Sequence, residues 1–254
     1  MLAPSPSLPS VAELRARIAA TAVSTRPGLP FGITDLDRHL AGGGLATDGV
    51  HEIAGASPGL SDDAAATLFV AGLAARFASK RDDGQVLWAL TRFDLYAPGL
   101  EQAGLPANML LFAQGRDDAE VLALAEDGLR EGALAVVVAE VKRANMVATR
   151  RLQLAASEGG VPVVILRRWR RAASCPLSEP SAAVTRWRIG SVPSARLGLP
   201  GVGRAGWQVE LVRQRGGEPF SLLLEACDGE GRLALPAAPR DRAAAQERAV
   251  ARAA

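Results

Sequence analysis

Apolar residues recur along this chain with two alternating periods. Short, nearly continuous apolar runs at 50–54, 85–90, 109–113, 133–139 and 161–166 read as buried strands. Between them lie stretches with helical spacing at 62–79, 95–103, 117–130 and 143–158. In the first of these, Leu68, Leu73 and Phe77 share a side. Asp117 or Asp118 stands where a helix N-cap belongs. Strands that alternate with helices of this length predict a mostly parallel sheet covered on both faces, an α/β fold.

After Leu166 the pattern changes. Residues 167–182 are rich in Arg, Ser and Pro and have no period, so they read as a loop. Three strands then follow without helices, at 184–189, 207–213 and 220–226. Turn signals at Gly216-Gly217 and Asp228-Gly229 predict an antiparallel extension at the C-terminal side. At the other end, residues 1–9 are Pro/Ser-rich and read as disordered. Ser10 and Glu13 form a capping-box pattern before a short helix whose Val11, Leu14, Ile18 and Ala22 share one face. That stripe lies outside the body, so Leu14 and Ile18 are candidate partner-binding residues, including contacts between copies. Residues 240–254 are an Ala-rich helical candidate with a weak stripe that needs a partner. The domain reading is an N-terminal segment 1–27, a core 28–230 and a tail 231–254.

The 254 residues suffice for one sizeable core, and 48% hydrophobic with 22% charged residues is ordinary for a globular chain. No apolar run is long enough to span a membrane, and no signal-peptide pattern opens the chain. The expected location is the cytoplasm, with Cys175 and Cys227 reduced. His39 and His51 stand alone, so no metal site is expected. The net charge of +2 conceals a split. Lys142 to Arg215 holds 14 basic residues and three acidic ones; Asp82 to Glu140 holds 11 acids against Arg92, Arg116 and Arg130. Such a split suits polyanion binding or head-to-tail protein contact.

Residues 28–68 carry the chemistry. A strand ending at Gly55 leads through a loop into a helix, which is the layout of a phosphate-binding P-loop. A working loop needs a lysine for the β/γ oxygens and a hydroxyl for magnesium. Here Gly55 is followed by Ala-Ser-Pro-Gly-Leu-Ser-Asp-Asp, and the next lysine is Lys80. The cofactor-site positions are therefore the degenerate set Gly55, Gly59, Ser61, Asp62 and Asp63. Asp62 and Asp63 suit a helix N-terminus as caps and repel a triphosphate.

Leu36, Asp37, Leu40, Gly43, Gly44, Leu45, Glu52, Ile53 and Gly55, with Tyr96-Ala97 and the runs at 103–106 and 108–111, resemble the RecA/RadA core over about residues 10–190. The segments PFGITDLDRHLAGGGLATDGVHEIAG, TRWRIG and GGEPFSLLLEACDGEGRLALP, with the missing lysine, resemble more narrowly the ImuA family of bacterial RecA-like mutagenesis proteins. The resemblance implies a RecA-like sheet. It places the Walker A lysine and threonine at Ser61 and Asp62, or near Ala65 and Ala66 with a gap. The catalytic glutamate falls within 89–91, where no carboxylate stands, and the Walker B aspartate falls at Ala139, beside Glu140, which reads as a surface strand end. No catalytic residue, no bound cofactor and little or no ATPase activity are expected.

In RecA-like proteins the loop after the fifth strand touches DNA. The matching residues are Arg167, Arg168, Trp169, Arg170 and Arg171, joined by Arg186 and Arg188 on the next strand, where alternation turns Trp187 to the core. The resemblance implies an accessory protein of DNA-damage-induced (SOS) translesion synthesis. Its partners would be an ImuB-like protein and an error-prone C-family DNA polymerase, with RecA and single-stranded DNA as further candidates. The alternatives are a DNA-binding regulator of RecA filaments and a P-loop ATPase with an atypical site.

Overall fold

The computed structural model describes residues 10, 26–169, 174–194, 201 and 203–236. Leu14, Ile18, Arg170, Arg171 and the segment 240–254 lie outside the described residues. In chain order the elements are α1 (Thr34–Asp37), β1 (Val50–Gly55), α2 (Leu60–Ala78), β2 (Val86–Leu90), α3 (Ala97–Gln102), β3 (Leu110–Gln114), α4 (Asp118–Glu131), β4 (Val136–Val141), α5 (Met146–Gly159), β5 (Val163–Arg167), β6 (Thr185–Val192), β7 (Gly206–Gln214) and β8 (Phe220–Glu225).

The eight strands form one sheet in the order β3-β2-β4-β5-β1-β6-β7-β8. β1 to β6 are parallel, and β7 and β8 extend the sheet antiparallel. This is the expected mostly parallel α/β sheet with its antiparallel extension: β6, β7 and β8 are successive antiparallel neighbours, and β6 joins them to the core by pairing in parallel with β1.

Two apolar layers sandwich the sheet. On one face, Ile53, Val136, Val138, Val164, Leu166, Trp187, Ile189 and Val209 pack under α2. On the other, Val50, Val137, Ala139, Val163 and Ile165 pack under α4 and α5. The period-2 alternation of each strand supplies both layers. α2 approaches closely because it is rich in small residues; a Cβ on Gly72 would lie 2.3 Å from the Cys227 sulfur. Burial pushes that thiol's pKa up to about 12. Both cysteines are free thiols.

Helix ends follow sequence logic where side chains can cap. Asp117 accepts the Glu120 N–H at 2.9 Å and Asn145 accepts the Ala148 N–H at 2.9 Å, and Gly132 and Gly160 end the same helices in the left-handed region. No helix among the described residues is long and apolar enough to cross a membrane.

Candidate functional site at the carboxyl end of β1

β1 lies inside the parallel sheet, between β5 and β6. Its carboxyl end opens through Ala56–Gly59 into α2. In open α/β sheets, ligands bind beyond the carboxyl ends of the strands where neighbouring connections diverge. Gly55 permits the loop to fold back: a Cβ there would stand 3.1 Å from the Asp62 backbone.

Asp62 and Asp63 were expected as helix caps, and the structure corrects this. Gly59 is the N-cap and makes no side-chain cap, while both aspartates sit inside the first turn. Asp62 turns back into the loop. Its Oδ2 accepts the Ser57 hydroxyl at 2.6 Å, and its Oδ1 accepts the Ser191 backbone N–H of β6 at 2.8 Å. The loop is closed on itself by a carboxylate. Ser61 is exposed on the helix surface.

Asp63 turns the other way, beneath the loop. Its Oδ2 lies 3.0 Å from Arg168 Nη1, and the same nitrogen donates to Thr67 Oγ1 at 2.7 Å. Arg168 Nε lies 2.9 Å from Glu140 Oε1, an ion pair too poorly aligned to be a hydrogen bond. Glu140 Oε2 accepts the Trp88 indole N–H at 3.3 Å. The side chains of Asp63, Glu140 and Arg168 are 11%, 8% and 9% exposed. Burial works against the Arg168 charge, but contact with Glu140 and then Asp63 outweighs it and raises the guanidinium's pKa above its ordinary value. Glu140 was expected to end its strand at the surface. It is buried instead, because Arg168, the residue that follows the neighbouring strand β5, meets it.

The basic segment is placed differently from the expected exposed loop. β5 runs one residue further, so Arg167 belongs to the strand and is completely buried. Its Nη1 donates to Glu52 Oε1 at 2.9 Å and its Nη2 to Glu179 Oε2 at 2.9 Å. Arg186 Nε donates to the other Glu52 oxygen at 2.7 Å, and its Nη1 to the Glu179 carbonyl at 2.8 Å. Arg188 is on the same face of β6, in a bidentate pair with Glu210 at 2.7 and 2.8 Å. Thus Arg167, Arg168 and Arg186 are neutralised inside the protein. Arg188 is partly exposed but paired, and Trp169 is half-buried. Trp187 is in the core, as its alternation with the arginines requires.

The residue that sequence reasoning missed is Glu52. The available signal was a lone carboxylate within an otherwise apolar strand, Val-His-Glu-Ile-Ala-Gly. His51 beside it is structural. It is fully buried, with Nδ1 2.7 Å from the Thr185 hydroxyl and Nε2 2.8 Å from the Ala46 carbonyl. The carbonyl can only accept, so Nε2 carries the proton and Nδ1 accepts. Among the described residues no group of His, Cys, Asp and Glu could hold a metal ion.

Protein ImuA from two strains of Caulobacter vibrioides, NA1000/CB15N and ATCC 19089/CB 15, is 43% identical to this chain over 235 residues, which covers 87% of this chain and 94% of each relative. The chain belongs to the ImuA family. No family model matches it. Among solved structures, SulA from Pseudomonas aeruginosa is 24% identical with a TM-score of 0.40, covering 46% of this chain and 96% of that one.

Proposed function

We propose that this ImuA-family chain is a non-catalytic accessory protein of damage-induced translesion DNA synthesis, built on a RecA-like core whose phosphate loop has degenerated. It acts by binding partners, an ImuB-like protein and an error-prone C-family polymerase foremost. The observation that carries this reading is the Asp63–Arg168–Glu140 cluster. Phosphoryl transfer needs an unpaired cation and a free carboxylate at the mouth of the loop. Here the cation behind the loop is already held by two internal carboxylates, and Asp62 closes the loop from within. A triphosphate entering there would meet negative charge.

The test has two arms. Nucleotide titration by calorimetry, with steady-state hydrolysis in the presence and absence of DNA, should give no saturable binding and no turnover. Co-purification with an ImuB-like protein from the same genome should give a stable complex without nucleotide. ATP turnover abolished by Glu140→Gln would overturn the non-catalytic reading and restore the atypical ATPase. Capture of RecA rather than the ImuB-like protein would favour a regulator of RecA filaments.

A further inference from the structure

At the amino end of β1, a strand's length of ~20 Å from the loop into α2, lies a cavity of about 250 Å³. Gly28, Gly44, Gln153, Ser157, Thr185 and Arg215 are among its walls. A Cβ on Gly28 would stand 2.9 Å from the Gly44 carbonyl carbon, so that wall has to be bare backbone.

Most polar groups there are spent on the fold. Gln153 accepts the Val50 N–H at 3.0 Å and donates to the Asp48 carbonyl at 3.4 Å. The Thr185 hydroxyl meets His51 and Trp187. Arg26 and Asp48 also line the cavity, and both are engaged within the protein. Arg215 differs. Its Nη2 donates to the Ala182 carbonyl at 2.6 Å, and Arg213, two residues earlier, donates Nη1 to the Ser181 carbonyl at 3.1 Å. Arg167, Arg168, Arg186, Arg188 and Arg204 each face a carboxylate. Among the described residues Arg213 and Arg215 meet none. Burial and then the charge of Arg213 push the Arg215 pKa below its ordinary value. The neighbouring acids act elsewhere: Asp48 bears on His51, and Glu158 of α5 on Arg130. The exposed Ser157 adds a hydroxyl with no partner among the described residues.

Two neighbouring cations without a counter-charge attract an anion. A phosphate monoester carries about −1.5 to −2 charges at pH 7, with several strong acceptor oxygens. The guanidinium fork matches those oxygens. A singly charged carboxylate would leave one of the two cations unmet. We propose that this cavity is a binding site for a phosphate group, free or carried by a small ester, held by Arg215 and Ser157 and drawn in by Arg213. It lies at the opposite end of β1 from the loop into α2, so the proposal stands whether or not that loop binds nucleotide.

Ribose 5-phosphate, with ribose as its control, tests this on the full chain by calorimetry and by arginine Nε–Hε NMR. Ribose 5-phosphate should bind saturably and ribose should not. The Nε–Hε signals of Arg215 and Arg213, assigned by their loss in Arg215→Gln and Arg213→Gln, should shift on binding. Arg215→Gln should weaken binding about tenfold or more and Arg213→Gln about threefold, while Lys80→Gln, an exposed charge elsewhere, should leave it unchanged. The ligand should raise the Tm of the parent and not that of Arg215→Gln. Inorganic phosphate separates the two sources: equal affinity assigns the site to the free anion, and tighter binding of ribose 5-phosphate assigns it to an ester. If Arg215→Gln does not fold, Arg213→Gln and the parental NMR shifts decide. No saturable binding of either phosphate, undiminished binding by the arginine variants, or shifts at these arginines with single-stranded DNA alone would overturn the proposal.

Discussion

Arg167 and Arg168 are consecutive on one chain, yet they enter opposite faces of the sheet and meet different surroundings. Arg167 lies under α4 and α5 with Glu52 and Arg186, all within the sheet, and its side chain and that of Glu52 have no exposure. Arg168 lies under α2 with Asp63 and Glu140, just behind the loop after β1, and keeps 9% exposure. Arg167, Glu52 and Arg186 of the first cluster are buried between strands, reach the surface only through Glu179, and tie β5, β1 and β6 together. The second occupies the place where an open α/β sheet would receive a ligand. The same residue type, one position apart, thus ties strands together on one face and neutralises two carboxylates behind the loop after β1 on the other.

The largest expected effect separates the two clusters. Glu52→Gln removes the one carboxylate shared by two buried guanidiniums, leaving Arg186 with no charged partner and Arg167 with Glu179 alone. Breaking a buried pair from one side costs about 3–5 kcal/mol. Urea denaturation should show that loss, or a chain that does not fold. Replacing Glu52, Arg167 and Arg186 together by methionine or leucine should recover most of it, because buried charge then vanishes on both sides. If Glu52→Gln is as stable as the parent, the cluster does not hold the sheet.

A second effect of nearly that size belongs to His51, the neighbour of Glu52 on the opposite face. Burial, only partly offset by the Ala46 carbonyl and Asp48, pulls its pKa from 6.5 down to about 4. The folded state therefore disfavours the proton that the unfolded chain accepts. Stability is full above about pH 7 and falls as pH drops through 6.5 toward 4. At about 1.4 kcal/mol per pKa unit this amounts to about 3 kcal/mol. His51→Gln should flatten that limb of the stability–pH curve while costing some stability at neutral pH. An unchanged acid limb would assign the loss to other groups.

The layers of the fold were legible in the sequence because they follow from period alone. Trp187 between Arg186 and Arg188 has to face the core once the strand exists. The clusters were not legible, because each joins residues distant in sequence and adjacent only through the strand order. Glu52 stands directly opposite Arg186 in the β1–β6 register, and Glu140 opposite Leu166 in the β4–β5 register, two positions before Arg168. A run of arginines reads as a solvated loop until the carboxylates that receive it are located. The absence of a lysine between Gly55 and Lys80, by contrast, was visible in the sequence, although the inward roles of Asp62 and Asp63 were not.

The Arg168 cluster should yield an intermediate effect. Arg168→Met leaves Asp63 and Glu140 without their cation in a nearly closed space, at a cost of about 2 kcal/mol by denaturation. Adding Asp63→Asn and Glu140→Gln should recover part of that cost. The triple variant should still fail to bind ATP in calorimetry, because removing the plug does not supply the cation that phosphate needs. Saturable ATP binding by that variant would mean that the cluster masks an intact site.

The smallest effect tests whether burial, rather than the presence of an ion pair, sets these magnitudes. Arg188 is two residues from Arg186 on the same face of the same strand, and its pair with Glu210 is bidentate with shorter bonds than most of those in the interior. Both side chains, however, are 35% exposed. Water already solvates each ion there, so removing one partner strands no desolvated charge, and the pair's attraction is screened by salt. Glu210→Gln should therefore change stability by less than about 1 kcal/mol, with the difference shrinking as salt is raised. The contrast with Glu52→Gln compares the partners of two arginines on one strand, Arg186 and Arg188 of β6, and does not depend on what the protein binds. If Glu210→Gln destabilises the fold as much as Glu52→Gln, pairing geometry and not desolvation governs this face, and the distinction between the cohesive cluster and the surface pair fails.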